Sequence, residues 1–278
     1  MNLRKMQKAE LELLKAFLKI CKKHNLRYFM LGGTFLGAVR HKGFIPWDDD
    51  IDIGMPRKDY KKFISFAKTE FKDNLSILNY KDGTSYDKYF IKIIDKNIKF
   101  KRNDSINNDK FFNLWIDIFP LDGMPMGYIS FKIHQFRLLF NRLLLQYSKF
   151  KTGVNIKKKR GFLEFLLIKF GYFVSKFIKF NTIKQLNKID YLLTKYDYES
   201  SKFVVNFMGA YKFKEMFEKI IYEDVVEYDF EDLKLFGPRN YDLVLTQMYG
   251  NYMEPPAESQ RFSHSIIFED IKNENQSK

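Results

Sequence analysis

The sequence predicts an α+β fold: a nucleotidyltransferase-like mixed sheet with flanking helices, extended by a basic, aromatic helical insert. Three observations carry the α+β class. Residues 4–69 read as helix, strand, helix, strand, helix; several short apolar strands follow between 75 and 119; from about 128 to 196 the chain turns to long helical stretches rich in Lys and Phe.

Each element has its own signature. Over residues 4–25, Met6, Leu11, Leu14, Phe17, Leu18 and Cys21 recur at helical spacing with Lys and Glu between them. "RYFML" (27–31) is a short aromatic strand that Gly32-Gly33 breaks. "TFLGAVRH" then resumes helical spacing, with Thr34 as its N-cap. Gly43 and Pro46 punctuate a loop. From Asp49 to Met55 carboxylates alternate with apolar residues, the period of a half-buried strand. Residues 57–69 place Tyr60, Phe63, Ile64 and Phe66 on one side of a helix. Strands are expected at 75–80, 88–94, 97–101 and 111–119, the last stopped by Pro120. In the helical stretch, "FLEFLLIKFGYFVSKFIKF" (162–180) is interrupted by Glu164, Lys169, Lys176 and Lys179 and is no membrane span. Its lysines gather on one arc, leaving a broad apolar face, and "IKKKR" (156–160) precedes it. Such a helix either lies in an anionic membrane interface or packs on the rest of the chain with its lysines in water. The expected division is a core over 1–127, the insert over 128–196, and a C-terminal part over 197–278 that packs on the core and ends in a disordered tail.

With 278 residues, 45% of them apolar, the chain is long enough to bury a sizeable core and too apolar to be disordered. Cys21 is its single cysteine, which excludes internal disulfides and fits a reducing compartment. Residues 1–25 show no secretory leader, so the expected location is cytoplasmic, peripheral on the inner face of the cell membrane if the insert binds lipid. Lys and Arg number 48 against 34 Asp and Glu, a net +14 that suits anionic partners. No base-reading module accompanies that charge, so nucleic acid is not an expected partner.

Against this basic background, "GFIPWDDDIDIGM" (43–55) concentrates Asp48, Asp49, Asp50 and Asp52. A solvated acidic loop is the ordinary fate of such a run, but alternation with Ile51 and Ile53 carries the backbone into a sheet. A calcium loop fits poorly, because Ile53 stands where the sharp turn needs Gly. A sugar-nucleotide glycosyltransferase would place a nucleotide-binding βαβ region ahead of its Asp-x-Asp, and too little chain precedes this one. A nucleotidyltransferase-type centre accounts for more: a Gly-Gly turn opening a helix, a strand carrying Asp-x-Asp, and a third acid on a later strand. In a strand, Asp50 and Asp52 project side by side while Ile51 turns to the core. Two carboxylates so placed repel unless a cation lies between them, and hard oxygen donors suit Mg²⁺ or Mn²⁺. "LWIDIFPLD" offers Asp117 as third ligand, with Asp122 as the fallback in a loop after Pro120. Gly32 and Gly33 would let backbone approach a phosphate at the positive end of the helix dipole. Arg40 grips a phosphate or serves the helix C-terminus; His41 is structural or a base; Trp47 walls the pocket or covers the loop; Lys92 meets phosphate or solvent.

The same residues carry a resemblance. "LGGTFLGAVRHKGFIPWDDDIDIGM", "WIDIFPLDGMP" and "YDLVLTQMYGNYMEPP", together spanning residues 31 to 256, closely resemble the LicD family, which includes the fukutin-type phosphosugar transferases. The basic insert carries no matching motif. The resemblance implies a nucleotidyltransferase-like fold and transfer of a phosphodiester-linked group from a CDP-activated donor, typically CDP-choline. The implied acceptor is a sugar hydroxyl of a teichoic acid, lipooligosaccharide or other surface glycan, free or lipid-linked. It puts the metal aspartates at Asp50 and Asp52, with Asp117 as the later-strand acid and Asp48 beside them. Gly32, Gly33 and Thr34 fall on the phosphate turn, and "ESQRFSHSIIF" sets His264 against a histidine-containing segment of the family. The implied reaction is in-line displacement of CMP, with Mg²⁺ or Mn²⁺ on the diphosphate and an aromatic cage for the quaternary ammonium. Transfer of a sugar phosphate or glycerol phosphate by the same centre, or a metal-binding protein without activity, are the alternatives.

Overall fold

A computed structural model describes residues 3–102, 111–149, 181–258, 261 and 266–267. The chain opens with α1 (Leu3–His24), which buries Met6, Leu13, Leu14, Phe17 and Ile20 along one side and carries Lys22, Lys23 and His24 at the negative end of its dipole. Then come β1 (Phe29–Met30), α2 (Gly32–His41), β2 (Asp52–Pro56), α3 (Arg57–Glu70), β3 (Leu75–Leu78), β4 (Ile91–Arg102) and β5 (Phe111–Met124). The remainder comprises α4 (Tyr128–Ser148), α5 (Thr182–Leu193), β6 (Phe203–Val205), β7 (Met216–Glu218), α6 (Ile220–Glu223), β8 (Val225–Phe230), β9 (Leu233–Pro238), α7 (Tyr241–Tyr249) and β10 (Ile266–Ile267).

The main sheet runs β1-β2-β5-β4-β10, with β3 on β4, β6 on β5 and β7 beyond β6. β2 and β5 are parallel and the other pairs antiparallel, so the sheet is mixed, as the sequence predicts. β5 is its spine. Leu114, Ile116 and Ile118 are fully buried, so the residues between them, Trp115 and Asp117, face the opposite side of the sheet. α4 and α5 pack together over a second, smaller core built from Leu138, Leu145, Leu186, Ile189 and Leu192.

The sheet departs from the sequence reading in four places. The strand expected at 27–31 shrinks to two residues, because Gly32 adopts φ +50° and turns the chain into α2. The strand carrying the acids begins only at Asp52, so Asp50 belongs to the loop before it. The strands expected at 88–94 and 97–101 are one strand, β4, whose register shifts between Asp95 and Lys99. Pro120 does not end β5. The Asp117 amide donates to Ile51 O (2.9 Å), so odd-numbered amides face β2 and even-numbered ones face the other edge. On that other edge β4 pairs up to Ile118 and β6 starts at Asp122, and the missing amide of Pro120 falls in the gap.

Among the described residues no helix is long and apolar enough to cross a membrane. The helix expected over 162–180, the basic run 156–160, His264 and the C-terminal tail lie outside the described residues.

Candidate active site

The parallel pairing of β2 with β5 sets Asp52 opposite Asp117, and the antiparallel pairing of β5 with β4 sets Asp117 opposite Lys92. Directly paired residues project to the same face, so Asp52, Asp117 and Lys92 form a row across three neighbouring strands, about 5 Å from one to the next. Lys92 Nζ lies 3.1 Å from Asp117 Oδ1 and 3.6 Å from the centre of the Trp115 ring. The two form an ion pair, with Asp117 Oδ1 buried against the ammonium.

The glycine turn closes against this row. A Cβ on Gly32 would stand 3.1 Å from Asp52 Oδ2, and one on Gly33 would stand 2.4 Å from Asp48 Oδ2. Only glycine lets the start of α2 approach the acids this closely. Thr34 is not the cap. The helix starts at Gly32 after Leu31, and the buried Thr34 hydroxyl accepts from the Asp52 amide at 2.8 Å, pinning the strand to the helix. Gln7 on α1 donates to Asp48 O (2.9 Å) and holds the loop from below.

Asp48, Asp50 and Asp52 line a cavity of ≈ 290 Å³ together with Gly32, Gly33 and Phe119. Its far wall comes from the C-terminal part of the chain: Asn206, Gly209, Tyr211, Glu215 and Tyr249. The Tyr211 and Tyr249 rings meet edge to face, 5.7 Å apart. Glu215 is buried and accepts from the Tyr211 amide (3.1 Å) and from Asn206 Nδ2 (2.7 Å), while Asn206 Oδ1 has no partner. Among the described residues no lysine or arginine lines the cavity.

Charge this concentrated is held at a cost. Burial, then Asp50 and Asp49, pushes Asp48 up to about 8. Burial, Asp50 and Asp117 hold Asp52 well above the carboxylate range. Burial lifts Asp117 to about 6 against the opposing charge of Lys92, and pulls Lys92 down. Glu215 rises to about 7 through burial. Glu10, buried on α1 with neither carboxyl oxygen partnered, is driven far up by burial and by Asp50, Asp49, Asp48 and Asp117. Among the described residues, no three His, Cys, Asp or Glu side chains close into a metal-binding group. The donor chemistry nevertheless suits a hard cation: mutually repelling carboxylates and, among the described residues, no side-chain cation on the cavity wall.

Residues 25–137 match the family model described as LicD/FKTN/FKRP, nucleotidyltransferase domain. Lipopolysaccharide cholinephosphotransferase LicD of Haemophilus influenzae is 30% identical over 276 residues, 96% of this chain and 97% of that protein. The chain belongs to the LicD family. Ribitol 5-phosphate transferase FKRP of Homo sapiens shares 50% identity over 34 residues, 12% of this chain and 7% of that protein. The sheet and helices described above are thus those of a nucleotidyltransferase-like LicD domain, and the chain is a LicD-type phosphotransferase.

The LicD site gathers most of the residues the sequence singles out. Gly32, Gly33, Asp48, Asp50 and Asp52 line one cavity, and Asp117 and Lys92 continue the row. Arg40, His41 and Trp47 form a separate cluster at the end of α2. Arg40 donates to Tyr252 O (2.6 Å), lies 6.0 Å over the Trp47 ring, and has His41 beside it, whose pKa burial and Arg40 lower. Arg261 stacks over the same ring at 4.7 Å. Asp122 is no fallback ligand: it lies in β5, paired through both oxygens with the buried Arg57, one contact being 2.6 Å. Sequence reasoning missed Glu10, Asn206, Tyr211 and Glu215. "NFMGAY" and "KFKEMFEK" carry no spacing that marks a site; Tyr249 was in reach, inside "YDLVLTQMYG".

Proposed function

We propose that this enzyme transfers phosphocholine from CDP-choline to a sugar hydroxyl of a cell-surface glycan. The observation that carries the reading is the makeup of the ≈ 290 Å³ cavity: Asp48, Asp50, Asp52 and Glu215, three aromatic rings and, among the described residues, no side-chain cation. Such a cavity suits a divalent cation at the Asp end and an organic cation at the Tyr end. A trimethylammonium group between Tyr211, Tyr249 and Glu215 would gain about 0.5–2 kcal/mol from the rings.

Asp50, Asp52 and Asp117 would hold Mg²⁺ or Mn²⁺, which would neutralise charge on the donor diphosphate. The start of α2 faces the same phosphates with its dipole. The acceptor hydroxyl oxygen attacks the phosphorus that bears choline, the bond to the bridging oxygen breaks, and CMP leaves with the electron pair. A nearby carboxylate, Asp117, receives the hydroxyl proton. Lys92, fixed between Asp117 and Trp115, keeps that carboxylate aimed along the row.

The likeness to a ribitol 5-phosphate transferase favours a second donor class, a polyol or sugar phosphate on the same nucleotide. Incubating the purified chain with CDP-choline, CDP-glycerol or CDP-ribitol under a Mg²⁺ titration, and reading CMP release, separates the two. Release from CDP-choline alone, dependent on Mg²⁺, is expected; release without divalent cation, or from CDP-ribitol alone, refutes the reading. Peripheral attachment to an anionic membrane is part of the same proposal. α4 leaves Ile129, Ile133, Phe136 and Phe140 exposed along one stripe, with Lys132 and Arg137 exposed on the same helix.

A further inference from the structure

β5 carries more than the acid at its centre. Phe119 lines the donor cavity, Asp117 follows two residues earlier, and Trp115 and Asn113 follow at the same two-residue step. All four point to one face of the strand. Trp115 and Asn113 line a second hollow of ≈ 470 Å³ that shares no residue with the donor cavity. Along the strand, Trp115 and Phe119 stand about 13 Å apart, with Asp117 midway. The acid row therefore has one cavity on each side.

In-line displacement requires that arrangement. Attacking and leaving oxygens flank the phosphorus, so the acceptor must arrive from the side the nucleotide does not occupy. We propose that the ≈ 470 Å³ groove is the acceptor subsite, and that it takes a sugar ring bearing an anionic substituent. This rests on the transfer reading given above.

The lining fits that chemistry. Trp115 and its cross-strand partner Ile94 provide an apolar floor for the carbon face of a pyranose, and Thr84 and Ser85 present hydroxyls from the loop before β4. The Asn113 amide nitrogen donates to Asp95 O (3.1 Å), which leaves its carbonyl oxygen to accept from a sugar hydroxyl. Lys88 lies exposed on the rim, near enough to Asp117 to lower its pKa, and has no ion-pair partner among the described residues. It supplies a cation for a phosphate or carboxylate on the sugar, whereas the donor cavity has none. The two hollows thus sort their ligands by charge, cationic head on one side and anionic glycan on the other. Lys92 sits at the boundary, lining the groove while it contacts Asp117.

Ligand-observed saturation-transfer NMR on the full chain tests the assignment, with glucose 6-phosphate, methyl β-glucopyranoside and choline as probes, each at about 10 mM to match millimolar affinity. Glucose 6-phosphate is expected to give a signal several times that of the neutral glucoside. Ser85→Trp, placed on an exposed loop where it fills the groove, should abolish both sugar signals and keep that of choline. Lys88→Ala should bring glucose 6-phosphate down to the level of the glucoside. Sugar signals that survive Ser85→Trp, or no sugar signal in the wild-type chain, overturn the acceptor subsite. Sugar binding lost in Ser85→Trp alongside failure to cleave CDP-choline would instead overturn the donor reading and keep the groove.

Discussion

At the scale of single residues, the centre is a set of charges held against their own repulsion, and substitutions should expose that tension. Asp52 stands far above the carboxylate range because of burial and of Asp50 and Asp117. Asp52→Asn is therefore expected to stabilise the metal-free chain by about 1 kcal/mol at pH 8, read by urea denaturation, while reducing transfer at least about a hundredfold. A destabilised variant would show that the fold compensates the Asp52 carboxylate with a favourable partner. Glu10 gives the converse case. Its carboxyl is buried and unpartnered, and burial together with the loop acids drives its pKa well above the carboxylate range, which favours the neutral form. Near pH 4, where the unfolded chain also holds the proton, Glu10→Gln keeps shape and should shift stability by less than about 1 kcal/mol, whereas at pH 8 it should stabilise the chain. A loss of several kcal/mol would mean the acid is charged and compensated. None of this was legible at position 10, where a glutamate amid a Lys- and Glu-bearing amphipathic stretch reads as one more solvent-facing side chain.

At the scale of elements, two tight joints position the acids. Gly37 in the middle of α2 lies against the loop that returns to β2, and a Cβ there would stand 2.4 Å from Gly43 O. Backbone cannot swing aside as a side chain can, so Gly37→Ala should cost about 1–3 kcal/mol and lower the melting temperature by several degrees. The second joint is the buried pair of Arg57, which opens α3, with Asp122 in β5; Tyr89 accepts from the same guanidinium at 2.6 Å. Arg57→Met strands a buried carboxylate and is expected to cost about 3–5 kcal/mol, whereas Arg57→Met combined with Asp122→Leu should recover much of it. Both joints explain which elements the sequence disclosed. α1, α2 and α3 announce themselves through spacing, because each buries one stripe against the sheet. β5 was cut short at Pro120 because the rule against proline in strands assumes a partner on both edges, and here one edge is vacant at that residue. The Asp-x-Asp motif was read as strand throughout, but Asp50 reaches the cavity from a loop, and only the register of β2 on β5 brings Asp52 to Asp117.

On the scale of the whole molecule, stability should depend on pH in the sense opposite to ordinary salt-bridged proteins. Asp48 at about 8, Glu215 at about 7 and Asp117 at about 6 keep protons in the folded state that the unfolded chain has released. Carboxyls raised on folding contribute stability that is present below their unfolded values near 4 and is lost as pH climbs through the folded ones. The melting temperature of the metal-free protein should thus fall as pH rises from about 5 to 8, and Mg²⁺ should flatten that slope by neutralising the acids. A flat profile without metal would contradict the clustering. Net charge is no guide here: the chain carries +14, yet the cavity at the start of α2 is acidic. The acidic end of that cavity was legible from the Gly-Gly turn and the aspartates. Its aromatic end was not, apart from Tyr249 inside a quoted motif, because Tyr211 and Glu215 come from a distant segment that only tertiary folding brings to the site.

β5 deserves to be followed once more along its length. Within fourteen residues it floors the groove, bears the central acid, walls the donor cavity and anchors Arg57. Inserting or deleting one amino acid between Trp115 and Asp122 would invert the facing of all that comes after, turning oily side chains to water and severing the guanidinium clasp in the same stroke. This ribbon admits no change of count.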